Sequence, residues 1–172
     1  SGLDRAFAEE PTDVVLAQGD TTTTFVAALA AFYHKIPFGH VEAGLRTGRM
    51  YDPFPEEMNR RLAGALASYH FAPTNAARDN LLREGVAASR IAVTGNTGID
   101  ALLTVAASSV EIDDPSVADL LNAGKPLVLV TAHRRENWGE PLAAICHAVA
   151  SLARRFPETE FVFAWHKNPT VR

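Results

Sequence analysis

The sequence has almost no cysteine. Cys146 is the only one in 172 residues, so no disulfide can form within the chain, and a disulfide-stabilised secreted fold is excluded. We therefore expect a cytoplasmic protein in which Cys146 is a small buried side chain of an apolar helix. The sequence also lacks an apolar run of about 18 residues, so we expect no membrane-spanning helix. Its first residues lack the apolar core of a signal peptide.

Basic residues are scarce relative to acidic ones. Sixteen Lys and Arg residues face 20 Asp and Glu residues, which gives a net charge of −4, and the basic residues are scattered. This argues against nucleic acid or an anionic membrane as a partner, although a local basic pocket for a phosphate stays open. The sequence has no G-x-G-x-x-G fingerprint, no H-x-x-x-H pair and no cysteine pair. We therefore expect neither a nicotinamide cofactor nor a metal.

Short apolar runs alternate with segments of helical periodicity. Strands are predicted over 14–17, 38–41, 69–72, 91–93, 127–130 and 161–165, and helices over 23–33, 75–84, 97–105 and 141–155, with one more helix from residue 55 that carries Met58, Leu62 and Leu66. Thr97 and Asp100 suggest a capping box. The alternation predicts an α/β fold, with a parallel sheet of Rossmann-like units that binds ligands at the carboxyl ends of its strands.

The composition becomes more polar between the fourth and fifth predicted strands. We therefore assign residues 1–107 to the later part of one Rossmann-like domain, 108–124 to a linker with a short helix, and 125–172 to the start of a second domain. The sequence opens in what reads as the tail of a helix, at Leu3 and Phe7, and stops just after a strand. We expect it to be part of a longer chain.

Two polar clusters directly follow predicted strands. Residues 18–24 (QGDTTTT) place Asp20 at a strand end, and Thr22 and Thr23 offer backbone N–H groups to an anion at a helix N-terminus. Alternatively, these residues only cap the helix. In residues 40–47 (HVEAGLRT) a strand leads into Glu42, which we expect to point into the ligand crevice, and then into Gly44 and Arg46; the alternative is a Glu42–Arg46 ion pair that orders the loop.

A third cluster opens a helix, at residues 53–61 (PFPEEMNRR). Pro55 suits the first helical position, and Glu56 and Glu57 suit the positive end of the helix dipole. The simplest interpretation is a set of helix-surface pairs, Glu56 with Arg60 and Glu57 with Arg61, at the i, i+4 spacing. Because adjacent helical side chains point about 100° apart, we expect the two carboxylates to have different roles.

The fourth cluster, residues 131–137 (TAHRREN), follows the strongest predicted strand of the second part. His133, Arg134 and Arg135 are suited to a diphosphate, because arginine provides forked and permanently charged donors. The alternative is a solvated charged loop. By itself, His166, within residues 165–169 (WHKNP), is interpreted as a residue that caps a strand end or orders a loop.

In this order the blocks resemble the non-hydrolysing UDP-N-acetylglucosamine 2-epimerases. They are GDTTTT at 19–24, HVEAGLRT at 40–47, PEEMNR at 55–60, GNTGIDAL at 95–102 and HRREN at 133–137. One block is weak evidence, but five in series are strong. The family's opening Gly-Thr-Arg-Pro-Glu block and its glycine- and glutamate-rich uridine diphosphate site are not among these 172 residues.

The resemblance implies a two-domain GT-B-like architecture with the substrate between the domains, and a homodimer. It places Asp20, Glu42, Glu56 and His133 at the family's proposed catalytic positions, and Arg134 and His166 at positions linked to nucleotide-sugar contacts, one of them allosteric. We add Thr22, Thr23, Arg46 and Glu136 as candidates for substrate binding. UDP-N-acetylglucosamine is the implied substrate and an allosteric activator, and no cofactor is implied.

The implied reaction converts UDP-N-acetylglucosamine into UDP-N-acetylmannosamine. UDP is eliminated to give a 2-acetamidoglucal and is then added back, which requires acid/base groups on both faces of the sugar ring and positive charge around the diphosphate. The alternatives are a hydrolysing epimerase that releases free N-acetylmannosamine, a GT-B glycosyltransferase, and a structural segment that is inactive by itself.

Overall fold

The computed structural model describes residues 2–108, 112, 114–132 and 137–164. The chain divides into two units, residues 1–108 and 109–172. The first unit contains α1 (Gly2–Glu9), β1 (Val15–Gln18), α2 (Thr22–Tyr33), β2 (Phe38–Val41), α3 (Glu56–Leu66), β3 (Tyr69–Ala72), α4 (Asn75–Arg83), a 3₁₀ turn (Ala88–Arg90), β4 (Ile91–Val93) and α5 (Thr97–Ala107). The second contains α6 (Pro115–Asn122), β5 (Leu127–Thr131), α7 (Glu140–Arg155) and β6 (Glu160–Ala164).

Both sheets are parallel, as the alternation of strands and helices predicted. In the first unit the strand order is β1-β2-β3-β4, and in the second β5 pairs with β6. The carboxyl ends of β1 to β4 therefore lie along one edge, where parallel sheets bind their ligands. No helix in the described part of the chain is long and apolar enough to cross a membrane.

The helices α2, α3 and α4 cover one face of the four-stranded sheet. Sequential parallel strands joined by right-handed crossovers place their helices on the same side. The buried side chains agree: Phe38 packs with alanines of α2 and α3, and Ala72 packs with Ala77 and Leu81 of α4. Leu16, which points to the other face, is 60% exposed.

Small residues let α2 and α3 pack closely on this face. Their shared core is made of Ala27, Ala28, Ala31, Ala63 and Ala67, together with Phe38 of β2. Of the residues whose spacing predicted α3, Leu66 packs against this core and Leu62 is exposed, while Ala63 and Gly64 are buried.

Three predicted local details, two at helix ends and one within α7, were wrong. Asn96 caps α5 through a hydrogen bond from the Gly98 N–H at 2.8 Å, so the capping box of Thr97 and Asp100 does not form. Pro55 is the N-cap of α3 rather than its first helical residue. Cys146 is half-buried rather than buried. In each case the capping or packing contact depends on the local backbone path, which spacing alone does not give.

We predict that Gly44 and Gly48 respond differently to alanine. Both have a positive φ, so alanine at either costs about 1–2 kcal/mol in the left-handed region. A β-carbon at Gly44 would also meet the Ala77 carbonyl, whereas at Gly48 it would meet nothing within 4 Å. Gly44→Ala should therefore lower the free energy of unfolding by about 1–3 kcal/mol more than Gly48→Ala does. Urea unfolding of both variants measures the difference, and equal losses would contradict the packing argument.

The buried imidazole of His70 predicts a loss of stability in acid. Burial, followed by the charge of Arg90 and the neighbouring His40, lowers the pKa of His70 from 6.5 to about 4. As the pH falls, His70 therefore binds a proton near pH 6.5 in the unfolded chain but only near pH 4 in the folded chain. Between these values the free energy of unfolding should fall by about 3 kcal/mol, since each unit is worth about 1.4 kcal/mol.

The variant His70→Leu tests this prediction. It has no proton to gain at this position, so its unfolding free energy should depend less on pH between 4 and 6.5. The pKa of His40 is also lowered, chiefly by burial, so part of the slope should remain. Chemical unfolding at a series of pH values gives the slope, and identical slopes for parent and variant would refute the assignment to His70.

Candidate active site

Polar residues that follow β1, β2 and β4 meet at the carboxyl edge of the sheet. Main-chain hydrogen bonds continue the ladder just beyond the strands: the Gly19 N–H donates to the Val41 carbonyl at 3.0 Å, and the Thr94 N–H to the Ala72 carbonyl at 2.9 Å. The residues that come next, Asp20 and Glu42, thus begin at the same level of the sheet. The candidate active site of the first unit is built on this edge.

Asp20 is held by the first turns of α3. Its Oδ2 accepts hydrogen bonds from Nε of Arg60 at 3.0 Å and from Nη2 of Arg60 at 2.7 Å. Its main-chain carbonyl accepts from Nδ2 of Asn59 at 2.9 Å. Because α3 thereby contacts both the backbone and the side chain of Asp20, the start of α3 is docked directly on the end of β1.

Glu42 lies beside the glycine turn that precedes Asp20. Its Oε2 is 3.6 Å from the point that a β-carbon of Gly19 would occupy, and its Oε1 accepts from Nδ2 of Asn96 at 3.4 Å. The φ angle of Glu42 is +68°, in the left-handed region that costs a residue other than glycine about 1–3 kcal/mol. Such strain is concentrated at functional sites, which makes Glu42 a strong candidate.

Glu56 and Glu57 occupy very different environments, as their angular separation predicted. Glu57 is fully buried, and its carboxylate accepts hydrogen bonds from the Thr47 and Gly48 N–H groups at 3.1 and 3.3 Å. Arg60 and Arg61 add ion pairs at 3.3 Å each. Burial alone would raise the pKa of Glu57, but these hydrogen bonds outweigh it and lower the pKa. Glu57 therefore anchors the loop after β2.

Glu56 is half-buried, and no described residue donates a hydrogen bond to it or forms an ion pair with it. The predicted pair of Glu56 with Arg60 does not form, because Arg60 turns to Asp20 and Glu57, whereas the predicted pair of Glu57 with Arg61 does form. Glu56 and Arg60 are one turn apart on the same side of α3. Position 56 is thus on the side of α3 that approaches Asp20.

Arg46 does not pair with Glu42. Its Nε and Nη2 donate to the two carboxylate oxygens of Glu84, each at 2.8 Å, and this fork lowers the pKa of Glu84. The pair ties the loop after β2 to the end of α4. The side chain of Arg46, predicted to bind substrate, is thus engaged in a forked ion pair and largely buried.

The threonine cluster combines a cap with an open helix end. Thr21, not Asp20, caps α2 by accepting from the Thr24 N–H at 3.2 Å, and Thr24 Oγ1 donates to the Gln18 carbonyl at 2.8 Å. Thr22 and Thr23 are exposed in the first turn, where backbone N–H groups lack acceptors within the helix. The geometry suits the binding of an anion by these two residues.

Four of the sequence candidates belong to the second unit. His133, Arg134 and Glu136 lie outside the described residues, and so does His166. Their roles stay predictions.

The sequence reasoning missed three residues that organise this edge. Asn59 and Arg60 hold Asp20, and Nε2 of His40 donates to the Gly19 carbonyl at 2.8 Å. Asn59 and Arg60 stand in the PEEMNR block and His40 opens the HVEAGLRT block, so the signal was their presence in those blocks rather than their spacing. Within the described part of the chain, no cluster of three or more His, Cys, Asp or Glu side chains could hold a metal ion.

We predict that Glu57 stabilises the fold and that the adjacent Glu56 contributes little to its stability. Glu57→Gln leaves buried donors facing an amide, so the free energy of unfolding should fall by about 3–5 kcal/mol. Glu56→Gln, the matched control, should change it by less than about 1 kcal/mol. Because the pKa of Glu57 is lowered, its stabilisation is present above pH 4.5 and lost below it. Denaturant unfolding at neutral and acidic pH should show the gap between parent and Glu57→Gln narrowing in acid; a constant gap would count against the assignment.

Comparison with known proteins now gives this edge a context. The family model described as UDP-N-acetylglucosamine 2-epimerase matches residues 1–172. The UDP-N-acetylglucosamine 2-epimerase of Escherichia coli K12 is 52% identical over 176 residues, which cover 99% of this chain and 47% of that protein. The chain thus spans less than half the length of this relative.

Solved structures agree in fold. The Neisseria meningitidis UDP-GlcNAc 2-epimerase bound to UDP-GlcNAc has a TM-score of 0.87 and 44% identity, covering 99% of this chain and 47% of that one. The Staphylococcus aureus MnaA–UDP complex has a TM-score of 0.89 and 45% identity, covering 99% and 45%. The fold class is therefore the parallel-sheet α/β fold of the GT-B-like epimerases. With a family model that spans all of its residues, this chain belongs to the UDP-N-acetylglucosamine 2-epimerase family.

Proposed function

We propose that the full-length protein interconverts UDP-N-acetylglucosamine and UDP-N-acetylmannosamine by eliminating UDP and adding it back. The observation that carries the proposal is the set of carboxylates at one sheet edge: Asp20 and Glu42 beside the Gly19 turn, and Glu56 on the side of α3 that approaches Asp20. Membership of the epimerase family and the UDP-GlcNAc bound by the Neisseria meningitidis relative support the choice of substrate.

The chemistry needs more than one acid/base group. In the elimination a base takes the proton from C2, the C2–H electrons form the C1=C2 double bond of the 2-acetamidoglucal, and the C1–O electrons leave with UDP. In the return step an acid delivers a proton to the opposite face of C2 while the diphosphate oxygen of UDP attacks C1. Groups on both faces of the ring are therefore required, and carboxylates from separate elements can meet that requirement.

The three proposed acid/base groups come from three different elements of the fold. Asp20 follows β1, Glu42 follows β2, and Glu56 opens α3. The open N-terminus of α2 at Thr22 and Thr23 offers N–H groups to a phosphate. His133 and Arg134, proposed from the sequence, would add positive charge at the leaving diphosphate.

The proposal predicts solvent deuterium at one carbon. When the full-length protein is incubated with UDP-N-acetylglucosamine in D₂O, NMR should show both UDP-sugars, with deuterium at C2. Intact UDP-N-acetylmannosamine without deuterium would refute proton exchange at C2. Free N-acetylmannosamine together with UDP would instead identify a hydrolysing enzyme.

Variants of the carboxylates belong to the same experiment. Glu42→Gln and Glu56→Gln should each lower turnover by about 10²- to 10⁴-fold, the contribution of a positioned acid or base, while UDP binding measured by calorimetry is retained. The control is Asp79→Asn, which removes an exposed carboxylate of α4 and should leave turnover unchanged. Near-normal turnover in either glutamine variant would remove that residue from the mechanism.

The resemblance also implies a homodimer, which we retain as part of the proposal. Sedimentation of the full-length protein would report its assembly.

A further inference from the structure

Arg60 contacts Asp20 in an unusual way. Two of its nitrogens, Nε at 3.0 Å and Nη2 at 2.7 Å, donate to the same oxygen, Oδ2. In the common fork the two N–H groups reach two different carboxylate oxygens, as those of Arg46 do with Glu84. Arg60 thus occupies one oxygen of Asp20, and no described residue donates a hydrogen bond to Oδ1.

This asymmetry decides where Asp20 can hold a proton. A guanidinium group has donors and no acceptor. A proton on Oδ2 would add a third donor hydrogen beside the two N–H groups whose hydrogen bonds Oδ2 already accepts. A proton exchanged by Asp20 must therefore enter and leave at Oδ1.

The backbone around Asp20 is fixed from several sides. Nδ2 of Asn59 donates to the Asp20 carbonyl at 2.9 Å, and Nε2 of His40 donates to the Gly19 carbonyl at 2.8 Å. The Gly19 N–H donates to the Val41 carbonyl at 3.0 Å. With the backbone held in this way, the direction of Oδ1 depends on the side-chain torsions, and Arg60 restrains those.

Arg60 is itself held in place. Its side chain is 14% exposed, and its Nη1 donates to Oε2 of the buried Glu57 at 3.3 Å. The guanidinium group therefore lies between a carboxylate that anchors the loop after β2 and the carboxylate at the end of β1. It has little freedom to leave Asp20.

We propose that Arg60 is a positioning residue for Asp20: it binds Oδ2 and leaves Oδ1 as the atom that gives and takes a proton. The inference rests on the proposed function, in which Asp20 is one of the acid/base groups. It assigns to Arg60 a role through Asp20, without contact with the sugar.

The test compares Arg60→Ala with Arg61→Ala in the full-length protein. Arg60→Ala frees the Asp20 side chain, and kcat should fall about 100-fold, as for a misplaced catalytic group, with little change in KM. Millimolar guanidinium chloride should restore part of kcat in Arg60→Ala and none in Asp20→Asn. Arg61 is the matched control, because it is 44% exposed and pairs with Glu57 but not with Asp20, so Arg61→Ala should keep near-normal kcat.

A double variant separates positioning from an independent role. In an Asp20→Asn background, Arg60→Ala should cause no further loss of kcat, because the group it positions is already disabled. If the two losses multiply, Arg60 acts by another route and the inference is wrong. It is equally wrong if Arg60→Ala keeps full turnover while Asp20→Asn is inactive.

Three further outcomes complete the test. If Arg60→Ala does not fold, Arg60→Lys keeps the charge but not the two converging N–H groups, and its kcat should still fall at least tenfold (about 1.4 kcal/mol); full kcat in Arg60→Lys would overturn the inference. Unsubstituted protein that exchanges no deuterium at C2 would overturn the proposed function itself, and the present inference with it. Full turnover in Asp20→Asn would overturn only the role of Asp20 and the inference built on it.

Discussion

The hydrogen-bonded ion pair between Asp20 and Arg60 joins segments 40 residues apart in the chain and sets the geometry of the whole edge. Arg60 brings α3 against the end of β1, and Glu57 on the same helix then holds the loop that follows Glu42. The parallel sheet places Asp20 and Glu42 at one edge, and the ion pair docks the start of α3, which carries Glu56, against the end of β1. Since a half-buried pair with short, converging donors is stronger than an exposed one, this contact can impose order on its surroundings.

Two adjacent carboxylates of α3, Glu56 and Glu57, lie in different environments. Glu57 is buried, accepts two main-chain and two arginine donors, and has a lowered pKa, all of which suit a structural carboxylate. Glu56 is half-buried and has no described partner, which suits a group that must exchange protons. The same separation appears after β2, where Glu42 borders Gly19 while Arg46 is committed to Glu84. Rigid neighbours of this kind would restrict the proposed catalytic side chains to a productive geometry.

Local rules predicted some of these contacts and failed for others. The i, i+4 spacing correctly predicted Glu57 with Arg61, but it also predicted Glu56 with Arg60, which the structure replaces by Arg60 with Asp20. An exposed ion pair within a helix is worth only a few tenths of a kcal/mol, so Arg60 pairs more favourably with the partly buried Asp20 than with Glu56. The alternative interpretation of the loop after β2, a pair of Glu42 with Arg46, is also wrong, because Glu84 offers Arg46 two oxygens in a forked geometry.

The sequence by itself determined the parallel α/β fold, the polar strand ends that carry Asp20 and Glu42, and membership of the epimerase family through its ordered blocks. These properties depend on periodicity, turn residues and motif order, all of which are local along the chain. Only the tertiary structure decided the partners: Arg60 for Asp20, Glu84 for Arg46, Asn96 for Glu42 and His40 for the Gly19 carbonyl. The physical reason is that hydrogen bonds and ion pairs depend on proximity in space, and these pairs are separated by 21 to 54 residues in sequence.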